Sequence, residues 1–136
     1  MGAPSGPLDV EPSQSKLLRV EVHAVADCHV ARLFGEIDLS NAADLQSVLS
    51  GLVKQGPVVV DLSGLEFVDS TGLSALIVAR RQAEASGNRV ALAGARGPVR
   101  RVLAITELDR HLGSYDDVPA AVAGLKSSGD GQRSGG

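Results

Sequence analysis

Three adjacent polar residues, Asp69, Ser70 and Thr71, follow the apolar pair Phe67-Val68 and precede Gly72. A hydroxyl next to a carboxylate raises the question of a nucleophilic serine. An activated serine needs a general base within hydrogen-bond distance, and no Gly-x-Ser-x-Gly turn surrounds Ser70. A hydroxyl at the start of a helix can instead accept a hydrogen bond from a free backbone N–H. The local residues therefore favour Ser70 as a helix cap over Ser70 as a nucleophile.

Other common site chemistries lack the residue spacing that they require. A Walker-type phosphate loop contains a Gly-Lys pair, which does not occur here, and the glycine pattern of dinucleotide-binding folds is also missing. The candidate metal ligands are His23, His29, His111 and Cys28, and their spacing matches no common metal set. We therefore expect a protein that is not an enzyme, with no metal site and no cofactor.

The composition is typical of one globular domain. The chain has 136 residues, of which 43% are hydrophobic and 21% are charged, and a second domain would not fit. A net charge of -3 and an aromatic content of 2% argue against a nucleic-acid partner, because such partners need basic surfaces and stacking side chains. No apolar run approaches the roughly 18 residues of a membrane span, so no membrane partner is expected.

Two further features bear on the cellular compartment. The first seven residues lack the basic and apolar regions of a signal peptide. Cys28 is the single cysteine, so the chain cannot form an internal disulfide, which is compatible with a reducing compartment. We therefore expect a cytoplasmic protein.

Strands are predicted before the Asp69-Ser70-Thr71 cluster. Residues 18–24 alternate between apolar and polar side chains, as in a strand with one solvated face. Residues 30–34 predict a second, adjacent strand, so the fold begins with a hairpin that turns near Asp27. Residues 58–62 form a mainly apolar run rich in β-branched residues, interrupted only by Asp61, which is typical of a strand buried on both faces, and a turn is predicted after it at Ser63-Gly64.

Helices are predicted between and after these strands. Residues 42–53 carry apolar side chains at helical spacing, and Ser40 or Asn41 can cap that helix. A second amphipathic helix follows Ser70 and ends at Gly87-Asn88. After a strand at residues 89–93, a helical region opens at Gly97 and continues its apolar series to Leu112.

The order of these elements predicts an α/β fold with a mixed sheet of four or five strands, packed with about four helices. A final helix follows Asp116-Asp117 and carries apolar residues to Leu125. The folded domain is placed at residues 16–125. A flexible leader is expected at residues 1–15 and a flexible tail at residues 126–136.

The residues around Ser70 resemble the signature of a known family. Phe67-Val68-Asp69-Ser70-Thr71-Gly72-Leu73 is similar to the signature of the STAS domain family (sulfate transporter and anti-sigma factor antagonist), specifically of its stand-alone bacterial anti-anti-sigma factors. Residues 33–39 resemble the family's Gly-Glu-hydrophobe-Asp segment, residues 59–63 its strand before the site, and residues 101–108 its third-helix region. The resemblance spans about residues 18–125 and implies a single STAS domain.

The resemblance also implies a phosphorylation switch. In that family, the serine after aspartate in the signature is phosphorylated by a partner that is both a serine kinase and the inhibitor of a sigma factor. This implies that Ser70 is the acceptor, with Thr71 as its nearer rival and Ser74 as a second alternative. The unphosphorylated chain would bind the anti-sigma factor and release a sigma factor, and the phosphorylated chain would dissociate until a serine phosphatase restores it.

The partner-binding residues that we expect surround the acceptor. Asp38 and Asp69 each follow a strand on the same side of the sheet, where α/β proteins place their ligands, while a turn or capping role is equally compatible with Asp38. The other residues of the expected surface are Ser70, Thr71, Gly72 and Ser74.

Two alternative functions stay open at this point. One is a nucleotide-binding STAS protein, against which the missing phosphate loop and the missing metal set argue. The other is an accessory STAS subunit of a lipid-transport ABC system, a role that does not require an acceptor serine.

Two positions depart from the family pattern. Glu107 stands where the family usually has glycine before Leu108-Asp109, and Asp27-Cys28 lacks the usual glycine or asparagine of the first turn. Neither departure touches Ser70, so they concern local geometry and partner choice.

Overall fold

A computed structural model describes the backbone of residues 17–135 and the side chains of residues 17–126. This part of the chain contains five strands and five helices: β1 (Leu18–Val25), β2 (Cys28–Ile37), α1 (Ala42–Val53), β3 (Val58–Val68), α2 (Ser70–Ala85), β4 (Val90–Ala93), α3 (Gly97–Ile105), α4 (Leu108–Leu112), β5 (Ser114–Tyr115) and α5 (Val118–Gly135). The predicted α/β class, the initial hairpin and the mixed sheet are confirmed.

The five strands lie in chain order across one sheet. β1 and β2 form an antiparallel hairpin in which Val25 pairs with Cys28, and Ala26 takes a φ of 55° in the turn between them. The pairs β2–β3, β3–β4 and β4–β5 are parallel. Parallel neighbours need crossover connections, which are supplied by α1, by α2, and by α3 with α4. The carboxyl ends of β2 to β5 consequently lie at one edge of the sheet.

β3 is the central strand, and its alternating side chains divide the core into two layers. Val58 and Val60 are fully buried in the layer that contains the apolar residues of α1 to α4. Val59 is fully buried on the opposite face, in the layer that contains Ala121 and Leu125 of α5. The prediction of a strand buried on both faces is therefore correct, because helices pack against both faces of the sheet at β3.

The turn predicted at Ser63-Gly64 is wrong, because β3 continues to Val68. Along β2, the pairing advances from Arg32–Asp61 to Phe34–Gly64, so β3 accommodates one extra residue as a bulge. A Cβ on Gly64 would lie 2.5 Å from Cδ2 of Phe34, which shows how closely the two strands approach there. The bulge replaces the predicted turn and lets β3 extend to the candidate site.

The helical region predicted from Gly97 to Leu112 is divided into α3 and α4 at Glu107, which accounts for the fifth helix. Glu107 has φ 63° and ψ 15°, the left-handed conformation that glycine adopts most easily. The hydroxyl of Thr106 donates to the carbonyl oxygen of Val102 at 2.8 Å and closes the end of α3. Glu107 thus holds the backbone conformation expected of the glycine that the family usually has there.

The domain boundaries stay predictions. The backbone of α5 continues to Gly135, ten residues beyond the predicted domain end at Leu125, while the side chains of residues 127–136 lie outside the described residues. The predicted leader at residues 1–15 also lies outside them. In the part of the chain that the structure describes, no helix is both long enough and apolar enough to cross a bilayer.

Candidate functional site

The candidate site lies where β2 and β3 end side by side. Ile37 pairs with Val68 in the parallel register, and the backbone N–H of Asp69 donates to the carbonyl oxygen of Ile37 at 3.2 Å. Asp38 and Asp69 are the next residues after these two strands. The two carboxylates therefore lie at the same edge of the sheet, while their contact with a partner stays a prediction.

Asp69, and not Ser70, caps α2. Its Oδ1 accepts hydrogen bonds from the N–H of Thr71 at 2.9 Å and the N–H of Gly72 at 3.2 Å, and it also accepts the Thr71 hydroxyl. The capping role predicted for Ser70 is wrong, because Ser70 is already the first helical residue. The shape of the first turn of α2 thus depends on Asp69.

The hydrogen bonds to Asp69 also set its charge. The Thr71 hydroxyl is the main cause that lowers the pKa of this carboxyl from its ordinary value; partial desolvation opposes the change, and backbone N–H groups add to it. Asp69 is therefore ionised at neutral pH. Its negative charge lies at the positive end of the α2 dipole and next to Ser70.

Ser70 presents the free hydroxyl of this cluster. Its side chain is exposed and makes no hydrogen bond to the residues whose side chains the structure describes. Thr71 is only partly exposed, and its hydroxyl is already bonded to Asp69. Ser74 is exposed and lies one turn further along α2. Ser70 therefore has a more accessible hydroxyl than Thr71.

Gly72 brings α2 close to the strand ends. It is buried, and a Cβ at this position would lie 2.5 Å from Cγ2 of Val68 and 2.7 Å from Cγ2 of Ile37. A side chain would therefore force the helix start away from β2 and β3. Gly72 was predicted to contact a partner; the structure places it under the site, where it determines the position of Ser70.

Asp38 organises the turn between β2 and α1. Its Oδ1 accepts hydrogen bonds from the N–H of Ser40 at 2.9 Å and from the Ser40 hydroxyl at 2.6 Å. Asn41 is completely buried; its Oδ1 accepts the N–H of Asp38 at 3.0 Å, and its Nδ2 donates to the carbonyl oxygen of Glu36 at 3.1 Å. Asn41 occupies the N-cap position of α1, but its side chain makes no capping bond and instead fixes the turn.

Two exposed apolar side chains flank the cluster. Leu39 follows Asp38 and is 77% exposed, and Phe67 lies near the end of β3 and is 45% exposed. Leu39 was missed by the sequence reasoning, although an apolar residue between Asp38 and Ser40 in a polar turn was a usable sign. Large apolar side chains exposed beside a polar cluster are typical of protein-binding surfaces.

The candidate metal ligands are not brought together. No group of three or more His, Cys, Asp or Glu side chains in the described part of the chain is arranged to hold a metal ion. Burial raises the pKa of the Cys28 thiol, with Asp27 adding to the effect and Lys126 opposing it. Cys28 therefore stays a neutral side chain in the core at physiological pH.

Comparison with known proteins agrees with the resemblance seen at the signature. The sequence model of the STAS domain matches residues 19–121, which include the hairpin, the Ser70 cluster and the start of α5. The chain belongs to the STAS domain family. The family predicted from the Phe67–Leu73 signature is thereby confirmed.

Two of the relatives of this STAS domain are named as antagonists of anti-sigma factors. This chain is 32% identical over 82 residues to the anti-sigma F factor antagonist of Lysinibacillus sphaericus. The match covers 58% of this chain and 70% of that protein. The crystal structure of an anti-sigma factor antagonist from Mycobacterium paratuberculosis is 27% identical with a TM-score of 0.72, over 80% of this chain and 94% of that one. The phosphorylated form of the Bacillus cell fate determinant SpoIIAA shares the fold, with 22% identity and a TM-score of 0.60 over 78% and 96% of the two chains.

Proposed function

We propose that this STAS domain is an anti-sigma factor antagonist controlled by phosphorylation of Ser70. The unphosphorylated domain binds an anti-sigma factor with serine kinase activity, and a sigma factor is released. That kinase phosphorylates Ser70 and the complex dissociates, and a serine phosphatase restores the binding form. The domain acts by binding in the cytoplasm, and the nucleotide is the kinase's.

The observation that carries this proposal is the exposed hydroxyl of Ser70 at the first position of α2. A kinase must place the acceptor oxygen in line with the γ-phosphate, which requires a hydroxyl that is accessible and free of competing bonds. Ser70 meets that requirement, whereas Thr71 is partly buried and bonded to Asp69. The names of two relatives above 25% identity support the antagonist role.

The charge around Ser70 supports an electrostatic switch. A phosphate adds about -1.5 to -2 charges, and it would stand next to the ionised Asp69. The N–H groups of Thr71 and Gly72 are already bonded to Asp69, so the phosphate would have to project toward solvent or a bound partner. Burying this charge against a partner is costly, and a loss of only about 3 kcal/mol weakens binding roughly a hundredfold.

The central experiment is phosphorylation in vitro. The protein is incubated with a candidate anti-sigma kinase and MgATP, and the phosphate is located by mass spectrometry. We expect phosphate on Ser70, no labelling of Ser70→Ala, and unchanged labelling of Ser74→Ala, an exposed serine on the same helix. Phosphate on Thr71 or Ser74 in the wild-type protein would contradict the assignment, and no labelling by any candidate kinase would favour the accessory-subunit alternative.

A second experiment tests the binding surface. Leu39 and Phe67 are proposed to contact the anti-sigma factor, because exposed apolar side chains near the centre of an interface contribute most of its affinity. Phe67→Ser should weaken binding by about tenfold or more, measured by titration calorimetry. Val25→Ser is the matched control. Val25 is 39% exposed and is the last residue of β1, where it pairs with Cys28 at the opposite end of β2 from the site. Equal losses in the two variants would place the interface elsewhere.

A further inference from the structure

A concave surface lies at the same edge of the sheet as Ser70 but is built by different elements. It is a cavity of about 410 Å³ between the end of β4, the start of α3, α4 and the end of β5. This volume lies in the range of small-molecule sites. The carboxyl ends of parallel strands are also where α/β proteins bind small ligands.

The charged groups in this cavity are of both signs, and they are not paired. Arg96, the N-cap residue of α3, and Arg100 in α3 line one part of it, while Asp109 of α4 and Asp116 after β5 line another. Each of the ion pairs found among the described residues is formed by side chains other than these four. Two guanidinium groups and two carboxylates thus line one cavity without forming an ion pair with one another.

The floor of the cavity is closely packed. The N–H of Gly94 donates to the carbonyl oxygen of Tyr115 at 3.0 Å, which ties β4 to β5. Gly94 has a φ of 72°, and a Cβ there would lie 3.0 Å from Cβ of Ser63 and 3.1 Å from Oδ1 of the buried Asp61. A preorganised floor lowers the entropy cost of binding a ligand.

The chemistry of the lining defines the ligand. Guanidinium groups bind phosphate through paired N–H donors, and carboxylates accept hydrogen bonds from hydroxyl groups. Ser114 and Tyr115 also line the wall. Because the whole chain carries a net charge of -3, its overall field does not attract anions, and any phosphate affinity must be local. We propose that this cavity binds a small phosphorylated polyol, with the phosphate at Arg96 and Arg100 and the hydroxyls at Asp109 and Asp116.

The proposal is tested with glucose 6-phosphate as the probe, followed by ¹H–¹⁵N NMR. Saturable shifts are expected at the backbone N–H groups of residues 94–97, 99–100 and 114–116. Affinity should be higher for glucose 6-phosphate than for inorganic phosphate or glucose alone, since each of these engages only half of the cavity. Shifts that do not saturate, or that a sodium chloride series reproduces, would overturn the proposal, and equal affinity for inorganic phosphate would overturn the polyol assignment.

Matched variants localise the effect. Arg100→Gln should lower the affinity for glucose 6-phosphate by about tenfold, because it removes a charge-assisted phosphate contact. Arg101→Gln is the control: Arg101 is the next residue on α3, is exposed, and does not line the cavity, so its affinity should change less than about twofold. An equal loss in both variants would show only general charge attraction. If Arg100→Gln loses spectral dispersion, Arg96→Gln replaces it as the test variant. Ser70→Ala should bind the probe normally, because this site is independent of the phosphorylation proposal.

Discussion

The first turn of α2 depends on one carboxylate. Asp69 accepts three hydrogen bonds from Thr71 and Gly72, whereas the Ser70 side chain makes none within the described part of the chain. We predict that Asp69→Ala lowers the free energy of unfolding by about 1 kcal/mol, and that Ser70→Ala changes it by less than about 0.5 kcal/mol. Urea unfolding of both variants checks this. A larger loss in Ser70→Ala than in Asp69→Ala would contradict the assigned cap.

The same carboxylate gives a pH dependence of known sign. The pKa of Asp69 is lowered in the folded protein, so the unfolded chain binds this proton more readily. The stability that ionised Asp69 contributes is therefore fully present above its ordinary value near 3.8 and is lost as the pH falls through the lower, folded value. The stability difference between wild type and Asp69→Ala should shrink below that ordinary value, in urea titrations at successive pH. A difference that grows on acidification would contradict this explanation.

At the scale of elements, Gly72 sets how closely α2 approaches β2 and β3. Gly72→Ala places a methyl group 2.5 Å from Val68 and 2.7 Å from Ile37, so the helix start must move, at a cost of about 1–3 kcal/mol. Gly51→Ala is the matched control: Gly51 lies in α1 with nothing within 4 Å of its added Cβ, and we expect a gain of about 0.5–1 kcal/mol. Thermal and urea unfolding measure both. Stabilisation by Gly72→Ala would show that the two elements are not closely packed.

The junction between α3 and α4 stores backbone strain at Glu107. Its φ of 63° is unfavourable for a residue with a Cβ, and its ion pair with Arg110 is long, 3.8 Å, and exposed. Glu107→Gly should therefore raise the free energy of unfolding by up to about 1 kcal/mol, after the larger entropy of the unfolded glycine chain is subtracted. Glu107→Ala keeps the strain and should give no such gain. Equal gains would assign the effect to the lost carboxylate.

At the scale of the whole molecule, local patterns in the sequence were sufficient to predict most of the strands and helices of the fold. The alternation at residues 18–24, the β-branched run at residues 58–62 and the helical spacing at residues 42–53 correspond to β1, β3 and α1, because each pattern reflects the faces that the core buries. The family signature around Ser70 marked the start of α2. At the site, the sequence grouped Asp69, Ser70 and Thr71 correctly.

The features that the sequence did not reveal have different physical causes. The Ser63-Gly64 pair has turn chemistry, but its pairing with Phe34 of β2 makes it a bulge. Glu107 has no local preference for the left-handed conformation, which tertiary packing imposes. The choice between Asp69 and Ser70 as cap depends on a one-residue difference in where the helix begins, and this is the least predictable feature of a helix. Leu39 became notable only through its exposure in the structure.

The proposed switch predicts a change of surface without a change of fold. α2 is capped by Asp69 and anchored at Gly72, and neither role involves the Ser70 side chain. A phosphate on Ser70 would therefore be accommodated at the surface. In NMR spectra, phosphorylated protein and Ser70→Asp should show shifts confined to residues near Ser70, with a melting temperature close to that of the wild type. Their affinity for the anti-sigma factor should fall by about a hundredfold or more, while Ser74→Asp, with the same charge one turn further along α2, should lose less. Global spectral change or melting of the phosphorylated form, with Ser70→Ala unaffected, would mean that phosphate acts by unfolding the domain and not through the interface.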